Sequence, residues 1–326
     1  MAYNVSALTD YTIENQDLLV MRSLFYAKTQ SLIQKEGNVM TGVKSSEKIN
    51  ILDTDAVFQV GGTCGFNSSG ATAFTQRTVT VGKIKVNESL CPKALEAKYT
   101  QKALAKGSRY ESIPFEQQYT DLKSGTISDQ LETGIWQGDT DSVDVNLNKF
   151  DGLIKLVDTA AASVLSNAAA YIATGAPIAA STGITLANVK GIVGSMWLAL
   201  PAKVQGKDDV RVFCGWDTFN KFISAYTDSN LFHFAPGGAE VKQENGEVVI
   251  PGTNYILTAV HGLDGTDRLF ALRMSNIYLA VDLENEEERW EIFFAKEADE
   301  VRFVAEFKEG INVAFPNEIV SFKLTA

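Results

Sequence analysis

The residues with the most reactive side chains in this 326-residue chain are two histidines, His233 and His261, and three cysteines, Cys64, Cys91 and Cys214. Cys214 beside either histidine would be a thiol nucleophile with its base, the pairing of covalent acyl transfer. Cys214, however, ends an apolar run, Val210-Arg-Val-Phe-Cys214, and a thiol in such a strand is usually buried and inert. The cysteines are odd in number, far apart and without C-x-x-C spacing, so neither a disulfide framework nor a thiolate metal site is expected. Reduced, intracellular assembly is the natural reading.

Three other stretches could hold an ion or a phosphate. The tip Gly61-Gly-Thr-Cys-Gly-Phe-Asn-Ser-Ser-Gly70 lacks a following Lys-Ser/Thr, and no G-x-G-x-x-G occurs, so neither phosphate-cradling loop is supported. Asp139-Thr-Asp-Ser-Val-Asp144 opens like a calcium loop, but Asp144 stands where the glycine belongs and Phe150 where the bidentate Glu belongs. An acidic loop that ends a helix is the better reading. Glu284-Asn-Glu-Glu-Glu-Arg289 reads as a solvated turn that could meet a basic patch on a neighbour. No cofactor and no metal is expected, and a chain of this size with so little chemistry works by shape and association.

Composition narrows the classes further. Hydrophobic residues make up 45% of the chain and charged ones 21%, enough apolar material for a sizeable core. The net charge of −11 argues against a surface that neutralises phosphates. No basic and apolar leader precedes Val20, and no apolar run nears the roughly 18 residues that span a bilayer. Asn67-Ser-Ser and Asn87-Glu-Ser are taken as chance matches to the glycosylation sequon.

The elements that must carry any site come next. Leu18, Met21, Phe25 and Leu32 recur at helical spacing up to Gly37, giving one amphipathic helix after an extended N-terminal segment. Ala56-Val-Phe-Gln-Val60 and Arg77-Thr-Val-Thr-Val81 predict the two strands of a long hairpin around the glycine-rich tip. A lone hairpin is marginal in water, so this one needs a surface to lie on. Ser112-Ile-Pro-Phe-Glu116 starts a helix whose apolar positions, Phe115, Tyr119, Leu122, Ile127, Leu131 and Ile135, carry it to Trp136-Gln-Gly-Asp139, with only Gly125 against it. Residues 159–183, rich in Ala, Ser, Thr and Gly, read as an insertion or border.

Beyond them the pattern turns α/β: a helix from Leu186 to about Leu200, a strand Val210–Cys214, a helix over Trp216–Tyr226, and a turn at Asn245-Gly246. Strands follow at Tyr255–Val260, Leu269–Arg273 and Ile277–Val281, and the tail from Trp290 to Leu324 alternates as long antiparallel strands. No internal repeat is visible.

This order of elements, with Glu132-Thr-Gly-Ile-Trp-Gln-Gly-Asp139 and Phe150-Asp-Gly-Leu153 as landmarks, resembles the major capsid proteins of tailed bacteriophages, the Hong Kong 97 (HK-97) fold. The resemblance spans essentially the whole chain. It implies an α+β fold with an N-terminal arm (1–50), an extended β-hairpin loop (51–90), a peripheral domain with a long spine helix (91–158 with 282–326), a boundary segment (159–183) and an α/β axial domain (184–281). It implies a structural protein and no enzyme: a subunit that self-assembles into hexamers and pentamers of an icosahedral shell around double-stranded DNA.

The partners it implies are further copies of the chain, a separate scaffold protein, a portal and decoration proteins; the DNA is enclosed without tight sequence-specific binding, and no membrane is involved. The place is the virion head, with assembly in the host cytoplasm. The arm begins almost at Met1, which favours a scaffold supplied by another chain. Candidate assembly contacts are Leu18, Met21, Phe25, Phe58, Phe66, Phe74, Lys83, Trp136, Asp139, Glu286 and Glu287. Lys83 and Lys85 lie on the expected loop, but nothing marks a crosslink acceptor, so noncovalent joining is expected. The rival readings are an encapsulin-like compartment shell, a tail or baseplate protein, and a thiol hydrolase using Cys214.

Overall fold

In this computed structural model the described residues are 27–36, 38–59, 68–90, 115–160, 163–167, 176–228, 246–250, 252–282, 289–295, 297–298 and 300–325. The mixed helix and sheet architecture expected from the sequence is present, arranged on two sheets and one separate two-stranded ladder.

The first sheet is built around β12 (Glu300–Val313), a 14-residue strand. Its odd-numbered residues Val301, Phe303, Ala305 and Phe307 are buried, as period-two alternation dictates for a strand with one face on a core. Along one edge β12 pairs with β4 (Gly82–Leu90); along the other it pairs first with β11 (Arg289–Ala295) and then with β10 (Ile277–Val281), all antiparallel. The short β1 (Val39–Met40) runs parallel to β10. The helix α2 (Phe115–Gln137) covers the odd face, burying Ile127 and Leu131 with Trp290, Phe303 and Phe307.

The second sheet has the order β5-β13-β9-β6-β8-β7. Its central strands are β6 (Val210–Cys214), β8 (Ile256–Ala259) and β9 (Leu269–Arg273), with β7 (Glu247–Val249) at one edge and β13 (Val320–Phe322) and β5 (Val164–Leu165) at the other. The helices α4 (Val189–Leu198) and α5 (Trp216–Asp228) bury Ile192, Met196, Phe219 and Phe222 against it. Two shorter helices among the described residues are α1 (Lys28–Glu36) and α3 (Leu153–Thr159).

The ladder is β2 (Ser46–Thr54) with β3 (Thr72–Thr80), antiparallel. Its first strand therefore lies before the Ala56–Val60 run expected from sequence, because Ile49 and Ile51 alternate toward a buried cluster with Val79 and Val81, whereas Val57 and Phe58 are exposed. Three further differences come from long-range pairing that local pattern does not encode. β4 follows the hairpin in sequence yet pairs with β12 from Leu90 to Gly82. The tail splits, so that β13 pairs with β9 of the second sheet. The described parts of 159–183 run beside the C-terminus, through the parallel β5–β13 pair and the bridge Ala179–Thr325.

The helix expected up to Trp136-Gln-Gly-Asp139 is α2, although Leu122 is exposed and not buried. Ser112 and Pro114 lie outside the described residues, as do Leu18, Met21 and Phe25; over the stretch expected as the first amphipathic helix the described helix is α1, which starts at Lys28. The Asn245-Gly246 turn is described only at Gly246, whose φ of 72° suits the turn. No helix among the described residues is long and apolar enough to cross a membrane.

Candidate assembly surface

The hairpin ladder has two unlike faces. On one, Ile49, Ile51 and Val79 pack with Val43, Val81, Ala280 and Ala314 at the base of the ladder. On the other, Asn50 and Gln76 bond across the strands at 2.8 Å and Leu52 stands opposite Phe74. Leu52 is 55% exposed, Phe74 80% and Phe58 100%, and Val57 is exposed beside them. Scattered single apolar residues on a surface need no explanation, but Leu52 and Phe74 on the ladder, with Val57 and Phe58 just beyond β2, form a bare apolar end.

The base is held tightly. Asn312 Nδ2 donates to Thr78 O at 2.7 Å, and Arg77 reaches Asn312 Oδ1 at 3.4 Å. Burial lowers the Arg77 pKa from its ordinary value. Gly310 lies so close to the ladder that a Cβ there would sit 2.2 Å from Thr80 O. The ladder is thus anchored at one end and uncovered at the other.

The end of α2 accounts for the sequence landmarks. Trp136 is fully buried against Phe213 and Phe270, with centroids 5.2 and 5.6 Å away, and its Nε1 donates to Thr29 Oγ1 at 2.9 Å. This corrects its expected role as an assembly contact: Trp136 is core. Gln137 Nε2 donates to Gly262 O at 2.8 Å, tying α2 to the 3-10 turn after β8. Gly138 permits a backbone crossing, since a Cβ there would meet Phe150 O at 2.5 Å and its carbonyl accepts Gly152 N–H at 2.8 Å.

The acidic loop between these glycines is organised by a lysine. Lys155 Nζ lies 2.6 Å from Asp139, 2.7 Å from Asp141 and 2.9 Å from Asp151. The three carboxylates hold the Lys155 ammonium well above its usual range, and its hydrogen bond lowers the Asp139 carboxyl. Asp139, expected as an assembly contact, is therefore committed within the chain. Among the described residues no group of three or more His, Cys, Asp or Glu could hold a metal ion.

Cys214 is fully buried, and burial pushes its thiol pKa far up. His261 is exposed, stacks on Trp216 at 5.6 Å and bonds Asp264 at 2.8 Å. A nucleophile needs a thiolate with access to substrate, and Cys214 has neither. The thiol hydrolase reading is set aside on that ground.

Of the expected contacts, Phe58 and Phe74 stand on the bare end of the ladder. Lys83 is exposed on β4, opposite Lys308 in the β12 register, while Lys85 pairs with Glu306 at 2.5 Å. Leu18, Met21, Phe25, Phe66, Glu286 and Glu287 lie outside the described residues. Sequence reasoning missed Leu52 because it fell before the expected strand; its parity, opposite to that of Ile49 and Ile51, was the available signal.

No family model and no curated protein matches the sequence. Solved structures do. The chain is similar to one in the procapsid of satellite phage P4, a particle that includes the size determination (Sid) protein, with TM-score 0.60, 14% identity, and 95% of this chain and 91% of that one covered. It is similar to the capsid of an empty GTA particle, with TM-score 0.56, 13% identity and coverage of 92% and 91%. It is also similar to the capsid of Myoviridae phage XM1, with TM-score 0.54, 12% identity and coverage of 90% and 92%. The chain has the fold of phage capsid chains.

Proposed function

We propose that this chain is the major capsid protein of a tailed bacteriophage, an HK-97-type subunit that assembles with copies of itself into the hexamers and pentamers of an icosahedral head. The observation that carries this reading is the β2–β3 ladder, packed by its base into the chain's own core and bare at Leu52, Val57, Phe58 and Phe74, on a fold similar to phage capsids. A head-to-tail contact between such a ladder and a different patch of the next subunit is heterologous; it closes into rings when the rotation closes. Many weak contacts of this kind sum by avidity into a stable shell.

In this reading the ladder is the extended loop, α2 the spine of the peripheral domain and the second sheet the axial domain. The residues before β2 are the arm, with Leu18, Met21 and Phe25 as its contacts, and Phe66, Glu286 and Glu287 meet neighbouring subunits together with Phe58, Phe74 and Lys83. A separate scaffold, a portal and decoration proteins complete the particle. A net charge of −11 suits a wall around packaged DNA, because a lining that repels phosphate does not adsorb it.

The test is to express the chain, separate it by size-exclusion chromatography and image it by negative-stain electron microscopy, alone and together with a phage scaffold protein. Closed shells or five- and six-membered rings are expected. Tubes, or a monomer under both conditions, would overturn the proposal.

A further inference from the structure

The helix α1 is held to the two sheets by different chemistry. Toward the second sheet the contacts are charged: Lys28 Nζ donates to Ala259 O at 3.1 Å and approaches Glu247 at 3.8 Å, and Glu36 faces Arg211 at 3.7 Å. Toward α2 and β12, Thr29 and Gln30 reach two buried carboxyl groups. Thr29 N–H and Oγ1 bond Glu132, and Gln30 Nε2 donates to Glu309 Oε1 at 2.5 Å.

The Gln30–Glu309 pair has a gap in its hydrogen bonding. Gln30 Oε1 and Glu309 Oε2, the second oxygen of each group, are both buried and have no partner among the described residues. Both are acceptors if Glu309 is a carboxylate, and two bare acceptors on groups already joined at one edge are what a missing proton leaves behind. A carboxylic acid set against a primary amide makes two bonds at once: the amide N–H donates to the acid carbonyl, and the acid O–H donates to the amide carbonyl.

We propose that Glu309 carries a proton at neutral pH and forms a reciprocal acid–amide pair with Gln30, so that the docking of α1 on the long strand β12 is proton-linked.

The surroundings favour the neutral form. Glu309 continues the odd row of β12 that faces α2, and burial, with the like charge of Glu132 behind it, pushes its pKa up to about 8. The strands on either side bring Gly82 from β4 and Val281 from β10 into register with it, neither of them titratable. The nearest cation in sequence, Lys308, has the other parity and engages Asp282 at 2.9 Å. On α1 itself the charges of Lys28 and Glu36 are turned to the second sheet. On α2 the acidic group is Glu132, whose own pKa is raised, chiefly by burial; Thr29, Lys28 and His261 act on Glu132.

The sign follows from the two states. Undocked, Glu309 titrates near its ordinary 4.5; docked, near 8, so between these values the docked state holds a proton that the undocked state lacks. Docking therefore weakens as pH rises from about 4.5 to about 8, by up to about tenfold per pH unit, and levels off above. α1 is held most tightly in acid.

The test is hydrogen exchange of the full chain from pH 5 to 9, read over residues 27–36 and corrected for the intrinsic exchange rate. In the wild-type chain the opening constant is expected to rise by up to about tenfold per pH unit as far as about pH 8 and to level off above, more steeply if Glu132 titrates alongside. In Glu309→Gln, whose amide pairs with Gln30 at every pH, the Glu309 share of that rise is expected to vanish; slopes equal to wild type would overturn the proposal. A second readout does not depend on that variant folding. In a Glu132→Gln chain labelled with carbon-13 glutamate, the infrared spectrum at pH 7 should hold a protonated-acid carbonyl band that is gone by about pH 8, and its absence at pH 7 would overturn the proposal.

Discussion

Leu52 of β2 and Phe74 of β3 stand directly opposite each other across the ladder, both exposed, while Ile51 beside Leu52 is buried. One strand thus turns one side chain into the chain's own core and the next out to solvent. If the outer pair exists for a neighbouring subunit, replacing both residues by Ser should leave the isolated chain within about 1 kcal/mol of wild-type stability, since exposed cross-strand pairs contribute little. The same change should abolish shells in electron micrographs. Unchanged shells from a well-folded double variant would separate the ladder from assembly.

Glycines in two settings should respond in opposite directions. At Gly310 an added Cβ would sit 2.2 Å from the Thr80 carbonyl, and backbone there cannot yield cheaply. Gly310→Ala should cost about 1–3 kcal/mol, as overpacking does, by pushing the ladder from β12. At Gly125, inside α2, nothing lies within 4 Å of an added Cβ. Gly125→Ala should stabilise the chain by about 1 kcal/mol through helix propensity alone. Urea midpoints of the two variants check both signs.

The sequence showed where strands and helices begin to the extent that burial is local. Val210–Cys214, Leu269–Arg273 and Ile277–Val281 appear with the expected bounds because each is a short apolar run between turns. The pairing of β4 with β12 and of β13 with β9 was not legible, since partners more than 200 or about 50 residues apart leave no local period. Trp136 illustrates the same limit at the site. Its motif marked it as important, but only the three-dimensional packing against Phe213 and Phe270 distinguishes a core anchor from a contact. Phe58 and Phe74 were named as residues of the expected hairpin, and both are exposed.

Lys155 should matter more at neutral pH than in acid. It lies within 3 Å of Asp139, Asp141 and Asp151, and removing it leaves like charges crowded in one loop. The Asp139 and Asp151 carboxyls are held below their ordinary value of 3.8 in the folded chain. Their stabilisation is therefore present above pH 3.8 and is lost as pH falls through the lower folded values. Lys155→Met should lower the urea midpoint at pH 7, and the gap from wild type should shrink toward pH 2. A gap that persists in acid would assign Lys155 a packing role.

Cys214 tests whether the chain retains any thiol chemistry. Its sulfur is buried in β6, its pKa is pushed far up by burial, and it makes a weak contact to Thr258 O at 3.9 Å. An inert thiol of this kind should take up an alkylating agent only when the chain unfolds, so residue-resolved mass spectrometry should find Cys214 unmodified in native protein and fully modified in denaturant. Cys214→Ala removes one buried sulfur and should cost about 1–2 kcal/mol from the small cavity, with shells unchanged in form. Rapid native labelling of Cys214 would mean that the second sheet opens around it, and that the thiol has an access route which its burial between α5 and the sheet does not provide.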